Sequence, residues 1–149
     1  MGNYVDENLL AGEKVLYEAE VHWGIYASAI IFGILGLLTL PIGIGAILLL
    51  IALVQAIAAF ITKASTELAI TDKRIIAKFG FIRRQTFEKR IDRLEGINFH
   101  QSVVGRILGF GSIVVGGIGG NSVPVPFIAN PQAFKQRLNQ LIEQNGVKD

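Results

Sequence analysis

The chain has 149 residues, 51% of them hydrophobic, and contains no cysteine. Its length allows one ordinary domain or a small domain with a membrane anchor, and the lack of cysteine excludes disulfide bonds, thiolate nucleophiles and cysteine-bound zinc. The net charge of +2 hides an asymmetry, since residues 1–62 hold one basic and five acidic residues, whereas residues 63–149 hold thirteen basic and seven acidic ones.

Residues 1–22 are predicted to be an N-terminal cytoplasmic segment that ends in a short strand. Apolar and more polar residues alternate from Val15 to Val21, with Leu16 as the one exception, and this period of two is typical of a half-buried strand. Because the segment is acidic and the apolar run starts only after it, we expect no cleavable signal peptide.

Residues 23–62 contain no Asp, Glu, Lys or Arg, and we predict that they form a transmembrane helical hairpin. A single straight helix of this length would be about 60 Å long, roughly twice the hydrocarbon thickness of a bilayer. Turn-forming residues stand near 41–45, so the expected helices cover about 23–40 and 46–62. A buried hairpin of a soluble protein and a re-entrant loop are the alternatives, but a soluble helix normally carries a polar face.

The flanks of this apolar run predict its orientation. Trp23 and Tyr26 fall where the chain would cross the headgroup layer, which both residue types favour. Basic residues follow the run, and basic residues next to a span favour the cytoplasmic side. Because a hairpin returns the chain to the same face, we expect a multi-pass protein with both termini in the cytoplasm. Small residues four apart on both legs allow close packing within the hairpin or between copies.

Residues 63–149 are predicted to form an antiparallel β domain with one C-terminal helix. About six or seven short apolar segments are separated by turn residues. The helix is expected at about 131–145, because Asn130 suits an N-cap, Pro131 suits the first helical position and an apolar stripe follows. The expected fold class is therefore α+β, with a two-helix transmembrane hairpin followed by an antiparallel β-barrel or sandwich that the C-terminal helix caps.

No arrangement of residues typical of an active site is visible. His22 and His100 lie far apart in the sequence, and the acidic residues between 72 and 95 neighbour Lys or Arg, as solvated ion pairs do. The glycine-rich run at 116–120 lacks the Lys-Ser/Thr pair and the helix start of a phosphate-binding loop. We therefore expect no enzymatic activity, no cofactor, no metal and no nucleic-acid partner.

Five motifs follow one another along the chain: GEKV at 12–15, TDKRIIAKFGFIRR at 71–84, IDRLEGI at 91–97, SVVGRILGFG at 102–111 and NPQAF at 130–134. In this order they resemble the YdbS-like family of membrane-anchored bacterial pleckstrin-homology (PH) domains. The resemblance implies a PH-like β-barrel closed by a C-terminal helix, located at the bacterial inner membrane, and it implies no defined activity. Some relatives carry several PH-like units, so a function built from tandem units would require self-association of this chain.

Basic residues beside the predicted hairpin are the candidate binding site. The candidates for lipid or anion binding are Lys73, Arg74, Lys78, Arg83, Arg84, Lys89 and Arg90. Each base close to an anionic leaflet contributes about 1 kcal/mol, although the same charges could serve only to set the topology or to form a solvated face. We predict a non-catalytic module that binds a membrane protein partner or another copy of itself, with binding of anionic lipid headgroups as the alternative.

Overall fold

The computed structural model describes residues 3–81, 84–117 and 123–146. Within these ranges the chain forms five α-helices and seven β-strands. The helices are α1 (Asn3–Glu7), α2 (Ala27–Thr39), α3 (Gly45–Ser65), α4 (Val103–Leu108) and α5 (Pro131–Gly146). The strands are β1 (Val15–Ala19), β2 (Glu67–Thr71), β3 (Arg74–Phe79), β4 (Gln85–Arg90), β5 (Leu94–His100), β6 (Phe110–Gly117) and β7 (Val123–Ala129). Short 3-10 turns cover Trp23–Tyr26, Leu40–Ile42 and Ile91–Arg93.

The strands form two antiparallel sheets that do not close into a barrel. One sheet has the order β1-β2-β3-β4 and the other the order β5-β6-β7. In the described ranges β4 and β5 share no ladder, because the turn Ile91–Arg93 leads the chain from one sheet to the other. On the opposite side, the sheets touch through an isolated bridge between Val21 and Ile128, next to which the His22 N–H donates to the Phe127 carbonyl oxygen at 2.6 Å. Of the two expected forms, barrel and sandwich, the described residues therefore show an open sandwich, and the barrel implied by the resemblance is not closed.

The hydrophobic core lies between the two sheets and includes one side of α5. Leu68 of β2 and Ile113 of β6 are fully buried in it. Phe134 and Leu138 of α5 belong to the same cluster, and the Tyr17 ring meets the Phe134 ring edge-on at 5.9 Å between centroids. Burial of a Phe and a Leu side chain contributes about 1.5–3 kcal/mol each, so α5 is bound firmly to the sandwich.

Helix α5 begins where the sequence pattern indicates. Asn130 has a φ of 48°, a left-handed conformation that Asn tolerates better than most residues. Its carbonyl oxygen accepts a hydrogen bond from the N–H of Ala133 at 3.1 Å. Pro131 follows at the first helical position, where its missing N–H costs nothing.

Helices α2 and α3 form an antiparallel hairpin that reverses at Gly43. The φ of Gly43 is 87°, a conformation that side chains disfavour. The two helices approach so closely that a Cβ on Gly45 would lie 2.2 Å from the carbonyl oxygen of Gly36. The hairpin contains two apolar segments, Trp23–Ile42 with 20 residues and Gly45–Ser65 with 21, and the most apolar 18-residue stretches of these segments have mean hydropathies of 2.2 and 2.5. By length and composition, both could cross a membrane.

The hairpin connects β1 to β2, which are neighbouring strands of one sheet. Strand β1 therefore belongs to the same folded unit as the strands after residue 63. β2 leaves the hairpin at Glu67, and β3 runs back toward it and ends at Phe79. We call this side of the domain the hairpin end, and we call the side with the β2–β3 turn the far end. The strand of 5 residues between them spans about 17 Å.

Helix α1 packs on the outer face of the four-stranded sheet. Val5 is buried against Ala69 and Ile76 of β2 and β3. The N–H of Val5 donates to Oε2 of Glu67 at 3.1 Å. Because Ala69 and Ile76 point away from the main core, this second cluster gives the sheet an apolar contact on each face.

Candidate interface at the hairpin end

Aromatic side chains at the start of the hairpin form a row. The His22 ring lies 5.2 Å from the Trp23 ring and 5.2 Å from the Phe110 ring, and Phe110 lies 5.5 Å from Phe127. We call these four residues the foot stack. Ring pairs at such distances add about 0.5–1.5 kcal/mol beyond the area that they bury. The stack therefore ties the first turn of the hairpin to β6 and β7, while Trp23 at its end remains 52% exposed.

Gly24 makes this contact possible. A Cβ at Gly24 would lie 2.8 Å from Cε1 of Phe110, a distance too short for two carbon atoms. The N–H of Gly24 donates to Nδ1 of His22 at 3.0 Å, which caps the 3-10 turn. Tyr26, the second residue predicted at a membrane interface, closes this turn and is half-buried.

Two cavities flank the end of α3, where the hairpin returns to the sheet. One has a volume of about 610 Å³ and is lined by β1 and α3, with Glu18 and Lys63 among its walls. The other, of about 340 Å³, lies between α3 and the segment after β3 and is lined by Phe60, Phe81 and Arg84. The exposed residues of these walls include Phe60, Phe81, Lys63 and Arg84. Exposed aromatic rings beside long basic side chains are typical of surfaces at a membrane–water boundary.

The structure distributes the six described candidate bases along the sheet, from its far end to its hairpin end. β3 and β4 pair from Arg74 and Arg90 at the far end to Phe79 and Gln85 at the hairpin end. The candidates at the far end are Lys73, Arg74, Lys89 and Arg90, and those at the hairpin end are Lys78 and Arg84. Arg83 lies outside the described residues. The outermost pairs of the ladder are about 17 Å apart. Lys78 and Lys89 lie three ladder steps apart, or about 10 Å, which is close to the Debye length of about 8–10 Å. The described candidates are therefore spread along the sheet.

Arg74 is bound in an ion pair with Glu13. Its Nε lies 2.9 Å from Oε1 of Glu13, whose side chain is fully buried, and its Nη1 pairs with Glu88. The Thr71 hydroxyl at 2.6 Å and the Leu10 N–H at 2.7 Å also donate to Glu13. Burial alone would raise the pKa of Glu13, but the hydrogen bonds, with that of Arg74 the strongest, outweigh it and lower the pKa to about 2. The hydrogen bond to Glu13 in turn raises the pKa of Arg74.

Two other candidates are also paired within the chain. Nζ of Lys78 lies 3.6 Å from Glu67 and 4.7 Å from the centre of the Tyr4 ring. Arg90 pairs with Asp92 at 3.3 Å, and both side chains are more than half exposed. Exposed pairs contribute little energy, so Arg90 can still meet another anion. Lys78, in contrast, is held between α1 and β2.

The pattern of the sequence does not reveal the acidic partners of these bases. Glu13 stands out only as part of the GEKV motif, and Glu67 follows the apolar run without any marked spacing. The charge asymmetry was the one signal in the sequence for these ion pairs, because an acidic N-terminal part and a basic remainder of one compact chain attract each other. Among the described residues, no group of three or more His, Asp or Glu could hold a metal ion.

Comparison with known proteins adds the family. Residues 28–144 match the family described as bacterial PH domain. No curated protein and no solved structure matches the chain significantly. PH domains are in general non-catalytic binding modules, which agrees with a site made of exposed rings and bases. Since the match covers more than half of the chain, this chain belongs to the bacterial PH domain family.

Proposed function

We propose that this chain is a membrane-anchored, non-catalytic binding module of the YdbS-like kind, held at the cytoplasmic face of the bacterial inner membrane. The observation that carries the proposal is the apolar hairpin inserted between two neighbouring strands of the sandwich. Residues 20–22 join β1 to the hairpin, and Thr66 alone joins α3 to β2. Such short connections keep the domain next to the membrane that the hairpin crosses.

The surface of the hairpin supports a bilayer as its environment. Only 11% of the most apolar 18-residue stretch of each segment is buried within the chain, and side chains such as Leu38 and Leu50 are exposed. An apolar surface of this extent favours association in water, whereas hydrocarbon accepts it. Trp23 starts the first leg and Lys63 ends the second, both at the hairpin end. An aromatic residue at that position favours the membrane–water interface, and a basic residue there favours the cytoplasmic side for the domain.

The edge of β4 is the binding surface in this proposal. β4 is the last strand of its sheet and pairs with β3 alone among the described strands. Its residues Gln85, Thr86 and Glu88 are exposed. An edge strand offers unpaired N–H and C=O groups, to which a strand of another protein can add. The proposed partner is a strand of a membrane protein or of a second copy of this chain.

Disulfide crosslinking tests association through β4, and the chain has no native cysteine to interfere. Full-length Thr86→Cys and the matched control Gln136→Cys are reconstituted in vesicles and oxidised at several protein-to-lipid ratios. Gln136 is an exposed residue of α5. We expect a crosslinked dimer of Thr86→Cys that persists on dilution with lipid, and a product of Gln136→Cys that disappears. Equal crosslinking of the two variants at every ratio would contradict the proposed edge.

Binding of anionic lipid headgroups is a second candidate function, and the position of Arg84 favours it. Arg84 is exposed at the hairpin end and lies near Phe81 and the end of α3. A base this close to an anionic leaflet contributes about 1 kcal/mol, or roughly a fivefold change in binding. We expect Arg84→Gln to lower the enrichment of phosphatidylglycerol around the full chain in mixed nanodiscs, and Lys73→Gln at the far end to leave it unchanged. Equal enrichment around both variants would reject this function.

A further inference from the structure

Helix α4 is a second element at the hairpin end with an exposed apolar side. The hydroxyl of Ser102 accepts a hydrogen bond from the N–H of Gly105 at 3.0 Å and caps the helix. Gly109 ends it in a left-handed conformation with a φ of 82°. Gly105 is the buried contact, because a Cβ there would lie 2.5 Å from the Phe110 carbonyl oxygen. The helix therefore lies directly against Phe110, a member of the foot stack.

The side of α4 that faces away from the domain is apolar. With about 100° per residue, Val103 and Ile107 project opposite Gly105, and Val104 lies beside them. Val103 is 77% exposed and Ile107 is 79% exposed. An amphipathic helix of a soluble domain turns such residues toward the core, yet here they point outward while a glycine faces inward. Arg106 is exposed on the flank of this apolar side.

The foot stack places α4 beside the first turn of the hairpin. The Phe110 ring contacts His22 and would collide with any side chain at position 24. Ile107 precedes Phe110 by three residues, so their Cα atoms are at most about 11 Å apart. Trp23 belongs to the same stack and marks the level at which the hairpin would enter the bilayer. The exposed apolar side of α4 therefore belongs to an element that lies close to the start of the hairpin.

We propose that α4 is a membrane contact, in which Val103, Val104 and Ile107 insert into the leaflet where the hairpin begins and Arg106 reaches its phosphate groups. This inference rests on the proposed function, because it requires the hairpin to lie in a bilayer. Interfacial helices bury their apolar side about 5–10 Å into the boundary of headgroups and acyl chains. A helix of 6 residues that lies flat fits this layer. The contact fixes the tilt of the domain, which a single hairpin leaves adjustable, and thereby the direction of the β4 edge.

Depth measurements with nitroxide labels test the proposal in the full chain. Single cysteines replace Ile107 on α4, Leu38 on the hairpin and Gln136 on α5, and the labelled proteins are reconstituted in vesicles of phosphatidylcholine and phosphatidylglycerol. Collision with oxygen reports hydrocarbon, whereas collision with a water-soluble nickel complex reports water. We expect the Ile107→Cys label to meet the nickel complex several-fold less often than the Gln136→Cys label. The label at Arg106→Cys, on the flank of the same helix, should meet the nickel complex at a frequency between those of the Ile107→Cys and Gln136→Cys labels.

The outcomes separate this inference from the anchor on which it rests. If the Ile107→Cys label meets nickel as often as the Gln136→Cys label while the Leu38→Cys label stays in hydrocarbon, the contact of α4 is overturned and the anchor stands. If the Leu38→Cys label also meets nickel freely, the anchor is overturned as well. The nitroxide is itself apolar and could draw the helix into the membrane, so a second comparison keeps the label fixed at Val104→Cys. We expect the label to meet the nickel complex several-fold more often when Val103→Ser and Ile107→Ser are added than when Val103 and Ile107 are retained. No rise would overturn the contact.

Discussion

The substitution Glu13→Gln removes the carboxylate that neutralises Arg74, and we expect it to destabilise the domain by about 3 kcal/mol. The Glu13 side chain is fully buried, and the Arg74 side chain is 13% exposed. Removal of one partner of a buried pair costs about 3–5 kcal/mol, and the remaining pair with Glu88 places the cost at the lower end. The pKa gives a similar value, because a fall from 4.5 to about 2 corresponds to about 3 kcal/mol at 1.36 kcal/mol per unit.

The same carboxylate predicts how stability depends on pH. The pKa of Glu13 is lower in the folded chain than in the unfolded chain, so its contribution is fully present above about pH 4.5 and is lost as the pH falls toward about 2. The free energy of unfolding of the wild-type protein should therefore fall by about 3 kcal/mol between about pH 4.5 and about pH 2 through this group. Glu13→Gln lacks the titrating group and should lose correspondingly less.

Thermal unfolding of the full chain in a mild detergent, followed by circular dichroism, measures both effects. About 3 kcal/mol corresponds to a fall in Tm of roughly 12–24 °C for a domain of this size. The matched control is Glu18→Gln, which changes an exposed carboxylate of β1 and should alter stability by at most about 0.5 kcal/mol. Equal melting temperatures of the two variants would contradict a stabilising Glu13–Arg74 pair, and so would an equal loss of stability by wild type and Glu13→Gln on acidification.

Two further substitutions test the core and the foot stack by the same unfolding measurement. Phe134→Ala removes a fully buried ring and should cost about 3–5 kcal/mol, whereas Gln136→Ala on the exposed side of α5 should be nearly neutral; similar shifts would contradict the position of the core. Gly24→Ala places a Cβ 2.8 Å from a ring carbon of Phe110 and should cost about 1–3 kcal/mol. Gly33→Ala is its control, because the nearest atom to a Cβ there is 3.9 Å away, and equal effects of the two would argue against the stack.

Composition and local periodicity were sufficient for the features that depend on neighbouring residues. A charge-free run with turn residues at its middle predicted the hairpin, and it reverses at Gly43. The stripe that begins at Phe134 predicted α5, because one face of a helix must find an apolar surface. The alternation of apolar and polar residues predicted the strands, because successive side chains of a strand point to opposite faces of the sheet. This alternation can be read from neighbouring residues alone.

Features that depend on strand pairing could not be read in this way. Glu13 binds Arg74 across 61 positions of sequence, and no local spacing signals such a partner. The candidate bases are close together in sequence, yet the ladder between β3 and β4 spreads them along the sheet. The sequence left a barrel and a sandwich open, and the turn Ile91–Arg93 decides for the sandwich because it leads β5 into a second sheet. The position of α4 beside Gly24 likewise exists only once β6 and the hairpin have come together.

Side-specific cysteine labelling tests whether the hairpin crosses the membrane and holds the PH domain on its cytoplasmic face, as we propose. Ile42→Cys in the turn of the hairpin and Gln136→Cys in the domain are exposed positions of a chain without cysteine. A membrane-impermeant maleimide is added to bacterial cells with a permeabilised outer membrane and an intact inner membrane. We expect labelling of Ile42→Cys in these cells and of Gln136→Cys only after the inner membrane is opened. Labelling of Gln136→Cys in cells with an intact inner membrane, or recovery of the chain in the soluble fraction, would contradict the account.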